Sequence, residues 1–313
     1  MANSKLDYLK EEERSTDLRF NGDSYIVVRV DGDKFHNFCS VHNFHKPNDK
    51  RALDLMVDAA KQVLMTFKGH IPLAYGHSDE FSFLIRSTST LLSRRVFKIT
   101  SMIPVVFATR YNSRWDHYFG DPSRGDVTKR EYDAWFDARP KEYANYRSVI
   151  NYFRWRQIDC HINNLYNTTL HALTGRYVRH ELVPVTEHDE AQEPLYEDGS
   201  GNGKMFRLKR TPISEWIQDS SRFLSARAAT DKLCHTVSAD KHDILFLDHK
   251  INYNNELEQF KKGTILVDTN KDYKDKETDE SSIKRLHVDI TKSSLLWDQY
   301  SHIFDDYVKC PTL

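Results

Sequence analysis

The order in which apolar patterning changes along the chain predicts an α+β fold whose first half is a ferredoxin-like, split β-α-β unit. Three observations carry that expectation. The β-branched run Tyr25–Val30 stops at Asp31-Gly32, as a buried strand stops at a turn. A helical period follows, and then two strand-like runs stand close enough to form a hairpin. Long helical stretches come after the hairpin, so an antiparallel sheet and its helices share the chain.

Taken in order, the first helix begins after Lys46-Pro47-Asn48-Asp49, where Asn48 or Asp49 can cap it. Its apolar positions are Leu53, Met56, Ala60, Val63, Leu64 and Phe67, and Gly69 can end it. Strands are expected at Ile71–Ala74 and Phe81–Arg86, joined across the six residues from Tyr75 to Glu80. Helices are expected over Leu91–Tyr118 and Asn145–Leu173, with a short strand near Trp135–Arg139. In a split β-α-β unit the first and third strands are antiparallel neighbours. Asp31 would then face Asp79 and Glu80, and two distant stretches would form one acidic corner. Between about Gly175 and Arg222 an acidic run, GSGNG and then KMFRLKR read as a flexible insertion, and Asp268–Arg285 reads as a solvated loop.

With 39% hydrophobic and 29% charged residues among 313, the chain can bury a core, and wholesale disorder is excluded. No apolar stretch reaches the roughly 18–20 residues that a membrane-spanning helix needs. The charged start MANSKLDYLKEEERSTDLRF differs from a secretory or transit peptide, and the 4 cysteines include no C-x-x-C pair. A reduced protein of the cytoplasm, the nucleus or both is expected. The net charge of −1 means that a nucleic-acid partner would have to be held by local basic patches.

Carboxylates at the ends of adjacent strands, beside the backbone carbonyl of Gly32, offer the hard oxygen ligands that Mg²⁺ favours. A pair of such ions can stabilise phosphoryl transfer. Asp and Gly are also ordinary turn residues, and on spacing alone the same positions read as a turn and a solvated hairpin tip. The loop Asp31-Gly32-Asp33-Lys34-Phe35-His36 can aim backbone amides at a triphosphate, or simply connect strand to helix. Arg29, Lys46, Arg94, Arg95, Lys98, Arg139 and the pair Trp155-Arg156 supply basic and aromatic groups that read equally as solvated faces. Within His161-Ile162-Asn163-Asn164-Leu165-Tyr166-Asn167-Thr168, the spacing of His161, Asn164 and Thr168 suits hydrogen bonds to bases or phosphates. A buried polar network joining two parts of the fold explains it as well.

Together the stretches MANSKLDYLK, IVVRVDGDKFHNF, KPND, AYGHSDEFSF, RRVFK, WRQIDCHINNLYNT, ADKHDILF and INYNNELEQFKKGTIL, in that order, resemble the tRNA(His) guanylyltransferase family of 3′–5′ nucleotide-adding enzymes. The resemblance runs from residue 1 to about 305. It implies a palm-like catalytic domain over residues 1–140, similar to that of forward polymerases. A helical and irregular tRNA-handling region over 141–313 would follow. It also implies two Mg²⁺ ions on Asp31, the Gly32 carbonyl and Asp79, with Glu80 as a further catalytic carboxylate. The triphosphate of GTP would lie along Asp31, Gly32, Asp33, Lys34, Phe35 and His36 and against Ser78 and Asp79. Arg29, Lys46, Arg95, Lys98, Arg139, His161, Asn164 and Asn167 match positions of activation or tRNA handling. The implied substrates are ATP, GTP and tRNA(His), with no membrane partner and a homotetramer built as a dimer of dimers. The reaction would add one guanosine at position −1; the alternatives are a templated 3′–5′ tRNA repair polymerase and a non-catalytic tRNA-binding relative. The stretch HINNLYN marks the tRNA(His) branch, whereas Asp33 stands where the family usually has Arg or Lys.

Overall fold

The structure, a computed structural model, describes residues 5–120, 127–185, 196–197, 205–270 and 282–305. It is a mixed helical and antiparallel-sheet molecule, as the patterning predicts. Strands β1 (Tyr25–Gly32), β2 (Leu73–His77), β3 (Glu80–Ile85) and β4 (Phe136–Tyr143) stand in the order β4-β1-β3-β2. Two later strands, β8 (Thr264–Asp268) and β9 (Ile283–Leu286), extend the same sheet beyond β2. A second sheet, in the order β5-β7-β6, consists of β5 (Val178–Pro184), β6 (Tyr196–Glu197) and β7 (Met205–Pro212).

Period-two patterning sends alternate residues of β1 to opposite faces. Ile26, Val28 and Val30 join a core with Phe81, Phe83 and Ile85 of β3, covered by α3 (Lys50–Thr66) and α4 (Val96–Ser113). Tyr25 and Val27 face the other way, into a core roofed by α5 (Tyr146–Leu173) and closed by Trp297, Tyr300, Ile303 and Phe304. Asp49 caps α3 by accepting from the Arg51 amide, and Asn145 caps α5 by accepting from Ser148 at 3.0 Å. The shorter helices are α1 (Tyr8–Ser15), α2 (Phe35–Val41), α6 (Ala226–Leu233), α7 (Ser238–Asp243), α8 (Glu258–Lys262) and α9 (Leu295–Gln299). No helix among the described residues is long and apolar enough to cross a membrane.

Several expectations need correction. The hairpin turn is Ser78-Asp79 alone, with His77 opposite Glu80 and Ser78 at φ 50°, because the ladder runs on through Tyr75 and Gly76. The long helix starts at Val96 rather than Leu91, since Leu92, Ser93 and Arg94 all take positive φ. Strand β4 runs four residues past Arg139, to Tyr143, despite Pro140; it is an edge strand, where a missing donor and a polar outer face are tolerated. The segment Asp268–Arg285 is not all loop: both ends are paired strands, Asp268 and Ile283 are buried, and Arg285 reaches Asp54 at 2.6 Å. Residues 271–281 lie outside the described residues.

The expected insertion also has order. Strand β5 pairs with β7 from Val178↔Pro212 to Pro184↔Phe206, and the amide of Val178 donates to the Lys46 carbonyl at 2.8 Å. Residues 186–195 and 198–204, which hold most of the acidic and glycine-rich run, lie outside the described residues.

Candidate active site

Pairing of β1 with β3 sets Asp31 opposite Glu80, one residue past the turn that carries Asp79. The amide of Gly32 donates to the Asp79 carbonyl at 3.1 Å and locks the two segments together. Gly32 is required at this closure: a Cβ there would stand 2.7 Å from Cγ of Phe35, which is buried in the core. Burial first, and then the charges of Asp79 and Glu80, hold the Asp31 carboxyl above its ordinary range. Burial likewise raises Asp79, against the Ser78 hydroxyl, which lowers it. Two neighbouring carboxylates that both resist ionisation form a site short of positive charge.

Glu80 is different. His77 Nε2 lies 3.0 Å from it, Arg156 Nη1 3.1 Å, and Arg29 Nε 3.9 Å. Burial raises its carboxyl, yet the hydrogen bond from His77 and the nearby cations bring it below its ordinary value. The structure therefore engages Glu80 in a cationic clamp inside the protein. Arg29 spans both groups, lying 3.6 Å from Asp31.

The loop after β1 does only part of what its sequence promises. The amide of Gly32 is taken by Asp79, and that of Asp33 donates to the Trp135 carbonyl at 2.9 Å. Phe35 turns inward against Phe38, Tyr111 and Phe136. The amides of Lys34, Phe35 and His36 remain, at the opening of α2, where the first N–H groups of a helix have no intrahelical acceptor. The side chains of Asp33, Lys34 and His36 are exposed.

Beside the corner, a cavity of about 210 Å³ opens between the β2–β3 turn and α5. Its α5 wall presents Asp159, Asn163 and Asn167, with Gln259 of α8 opposite. Asn167 is thus brought to the site together with Ser78 and Asp79. Asp159 and Asn163 were missed by sequence reasoning, although their i, i+4 spacing with Asn167 was the available signal. Asn164 has the structural role: it accepts from Asn48 at 2.8 Å, donates to Tyr253 at 2.9 Å, and so ties three segments together. Thr168 is fully buried, and His161 is an exposed ring packed on Tyr253. Lys46 lines a smaller neighbouring cavity with Ser78.

Arg95 and Lys98 are not brought to the corner. Arg95 ion-pairs with Asp17, and the Val96 amide donates to Leu18, at the opposite end of β1 from Asp31. The length of that strand, roughly 20–25 Å at about 3.3 Å a residue, separates them. Arg139 does share the Asp31 side of the sheet: it lies opposite Arg29, and both Asp137 and Asp31 raise its pKa.

The family model described as "tRNAHis guanylyltransferase" matches residues 6–144, and that described as "Thg1 C terminal domain" matches 147–195 and 215–301. Strand β7 falls in the gap between the last two ranges. A Debaryomyces hansenii tRNA(His) guanylyltransferase is 35% identical over 93% of this chain and 95% of its own length. The Saccharomyces cerevisiae tRNA(His) guanylyltransferase is 35% identical over 85% of this chain and 91% of its own. A crystal structure of the yeast enzyme covers 84% of this chain and 93% of that one, with a TM-score of 0.64 at 33% identity. A bacterial tRNA(His) guanylyltransferase-like protein at 19% identity shares the fold, with a TM-score of 0.63 over 95% of this chain. With both halves matched and the corner intact, this chain belongs to the tRNA(His) guanylyltransferase family.

Proposed function

We propose that the chain adds one guanosine to the 5′ end of tRNA(His). The observation that carries this reading is the Asp31–Asp79 corner with the Gly32 carbonyl beside it, in a chain that matches the family along both halves. In the reaction, the tRNA 5′-monophosphate oxygen attacks the α-phosphorus of ATP and pyrophosphate leaves. The 3′-OH of GTP then attacks the activated 5′ phosphorus, loses its proton and expels AMP. Hydrolytic removal of pyrophosphate leaves a 5′-monophosphate on the new guanosine. The strand order β4-β1-β3-β2 supports a ferredoxin-like, palm-type frame over residues 1–140.

Among the described residues, no three His, Cys, Asp or Glu side chains are grouped to hold a metal ion. Two carboxylates and a carbonyl nonetheless fit Mg²⁺, which keeps water and substrate phosphate as its remaining ligands. Asp31, Asp79 and the Gly32 carbonyl would hold it, and when bound it would lower the pKa of the attacking hydroxyl and neutralise phosphate charge. The protein's own groups do the rest. Arg29 tethers Asp31, the clamp on Glu80 fixes the strand end behind it, and the open amides of α2 receive phosphate oxygens. Asn163 and Asn167 offer donors and acceptors to a nucleotide in the cavity. Exposed Phe97, Met102 and Val105 on α4, near exposed Trp135, support assembly into a homotetramer.

The test is incubation with 5′-monophosphorylated tRNA(His), ATP, Mg²⁺ and labelled GTP. One added guanosine supports the reading. Several templated additions would indicate a repair polymerase, and tight binding without product would indicate a non-catalytic relative.

A further inference from the structure

The acidic corner can be reached from two sides, and they differ in size. One side is the partly open cavity of about 210 Å³ between the β2–β3 turn and α5, far too small for a paired RNA end. The other side is the β4 edge of the sheet, where Asp137, Arg139 and Lys141 stand next to Arg29 and Asp31 on the face that α5 partly covers. Arg139 and Lys141 are exposed there. Above this face runs α5, and from it projects Trp155, 53% exposed.

That indole is held firmly for so exposed a group. The Arg156 guanidinium stacks 3.8 Å from its centroid, and the Tyr152 ring meets it edge-on at 5.9 Å. Both supports are themselves fixed. Arg156 pairs with Glu80 at 3.1 Å and with Asp159 at 3.3 Å, while Tyr152 is bonded to Ser82 at 2.7 Å. The indole is backed by a cation yet half exposed, and that cation ties it to Glu80, the residue paired with Asp31. Such a surface receives another flat π-system without first losing side-chain freedom.

We propose that Trp155 is a stacking platform for the terminal base of the acceptor end of the RNA, with Arg139 and Lys141 taking the adjoining phosphates. The proposal rests on the reading that a tRNA 5′ end is the substrate. Stacking of a base on an aromatic side chain is worth about 1–3 kcal/mol, roughly 5- to 150-fold in affinity, and tolerates any base because each has a π-face. Paired RNA ends fit this surface better than a free nucleotide does. They are too large for the cavity, and their phosphates need the cations of β4.

The test uses the full chain, as wild type, Trp155→Ala and Trp155→Phe. The probe is a 5′-monophosphorylated acceptor-stem minihelix of tRNA(His) carrying 2-aminopurine as its 5′-terminal base. The expected result is that the wild type binds and quenches the fluorophore. Trp155→Ala should weaken binding about tenfold, lose the quench and raise KM for RNA, leaving kcat, KM for GTP and melting temperature unchanged. Trp155→Phe should keep most of the affinity and the quench. Wild-type affinity and quench in the Ala variant would overturn the proposal. So would an equal loss of GTP affinity, or a change confined to oligomeric state by light scattering. A wild-type protein that neither binds the minihelix nor transfers guanosine would overturn the parent reading and this one with it. Normal transfer and RNA affinity in Trp155→Ala would overturn the platform alone.

Discussion

Removing Arg156 should destabilise the protein through the charge it leaves behind. Glu80 is 8% exposed, and Arg156 Nη1 lies 3.2 and 3.1 Å from its two carboxylate oxygens. In Arg156→Met the aliphatic bulk stays, while the carboxylate keeps only His77 at 3.0 Å and Arg29 at 3.9 Å. Breaking a buried pair from one side typically costs about 3–5 kcal/mol. Because Arg29 and the His77 ring remain beside the carboxylate, a cost at or just below that range applies here, about 2–3 kcal/mol. At about 2–4 °C per kcal/mol for a domain of this size, the melting temperature should fall by roughly 4–12 °C. The double variant Glu80→Gln/Arg156→Met, which removes both charges, should recover more than half of the loss, as seen in a double-mutant cycle by calorimetry. A single-variant drop below about 1 °C, or a double variant no better than the single, would refute the clamp. The same cycle run with activity as readout reports separately on catalysis, since Glu80 lines the cavity and Arg156 backs Trp155.

Other expected outcomes follow from the same geometry. Asp79→Ala should lose about 10³-fold or more in guanosine addition with little change in melting temperature, and retention of a tenth of the activity at saturating Mg²⁺ would refute its role. Gly32→Ala should destabilise by about 1–3 kcal/mol in denaturant titration because the new methyl meets Phe35, and Phe35→Leu in the same chain should relieve part of it. Burial raises the Glu256 carboxyl to about 7 against the hydrogen bond from Tyr177, so the folded state holds its proton more tightly than the unfolded chain does. That contribution is complete below about pH 4.5 and is lost as pH rises through about 7. Unfolding free energy should therefore fall by up to about 3 kcal/mol over that range, a slope that Glu256→Gln should flatten. Buried His180, lowered by burial to about 3, acts oppositely: its contribution is present above about pH 6.5 and lost as pH falls, so His180→Gln should soften acid unfolding in a circular-dichroism titration.

Much of the frame was legible because it relied on local signals. The run Tyr25–Val30, the Asp49 cap and the Asn145 cap were all set by residues within a few positions of one another. The corner was also legible, because antiparallel pairing of the first and third strands of a split β-α-β unit brings Asp31 to the turn. What sequence reasoning missed was set by partners far along the chain. Strand β8 is five residues long and takes its place only because β2 leaves an edge open to it. Strand β5 finds β7 across a stretch rich in acidic residues and glycine, where local propensity is silent. The roles of Asn164 and Asn167 were also illegible: both line the cavity from neighbouring positions of α5, but Asn164 is tied into a buried network by Asn48 and Tyr253, which come from far along the chain, while Asn167 is exposed. The pairing of Glu80 with Arg156, 76 residues later, was likewise beyond the reach of local pattern.

The pairing of β8 with β2 has a consequence for how the protein is made. Strands β1 to β4 are complete once residue 143 has been synthesised, and the backbone pairing that brings Asp31 to Asp79 lies among them. Yet β2 keeps an open edge until Thr264–Asp268 arrives, some hundred residues later, and at roughly 5–20 residues per second that wait lasts about 6–25 s. A nascent chain in that interval carries a formed corner on a sheet with one sticky side, the condition that invites pairing between neighbouring chains. Chaperone demand should therefore centre on the ribosome-bound intermediate. Slowing translation between residues 143 and 264 should raise co-translational aggregation, while the released full-length protein, with that edge filled, should refold cleanly from denaturant.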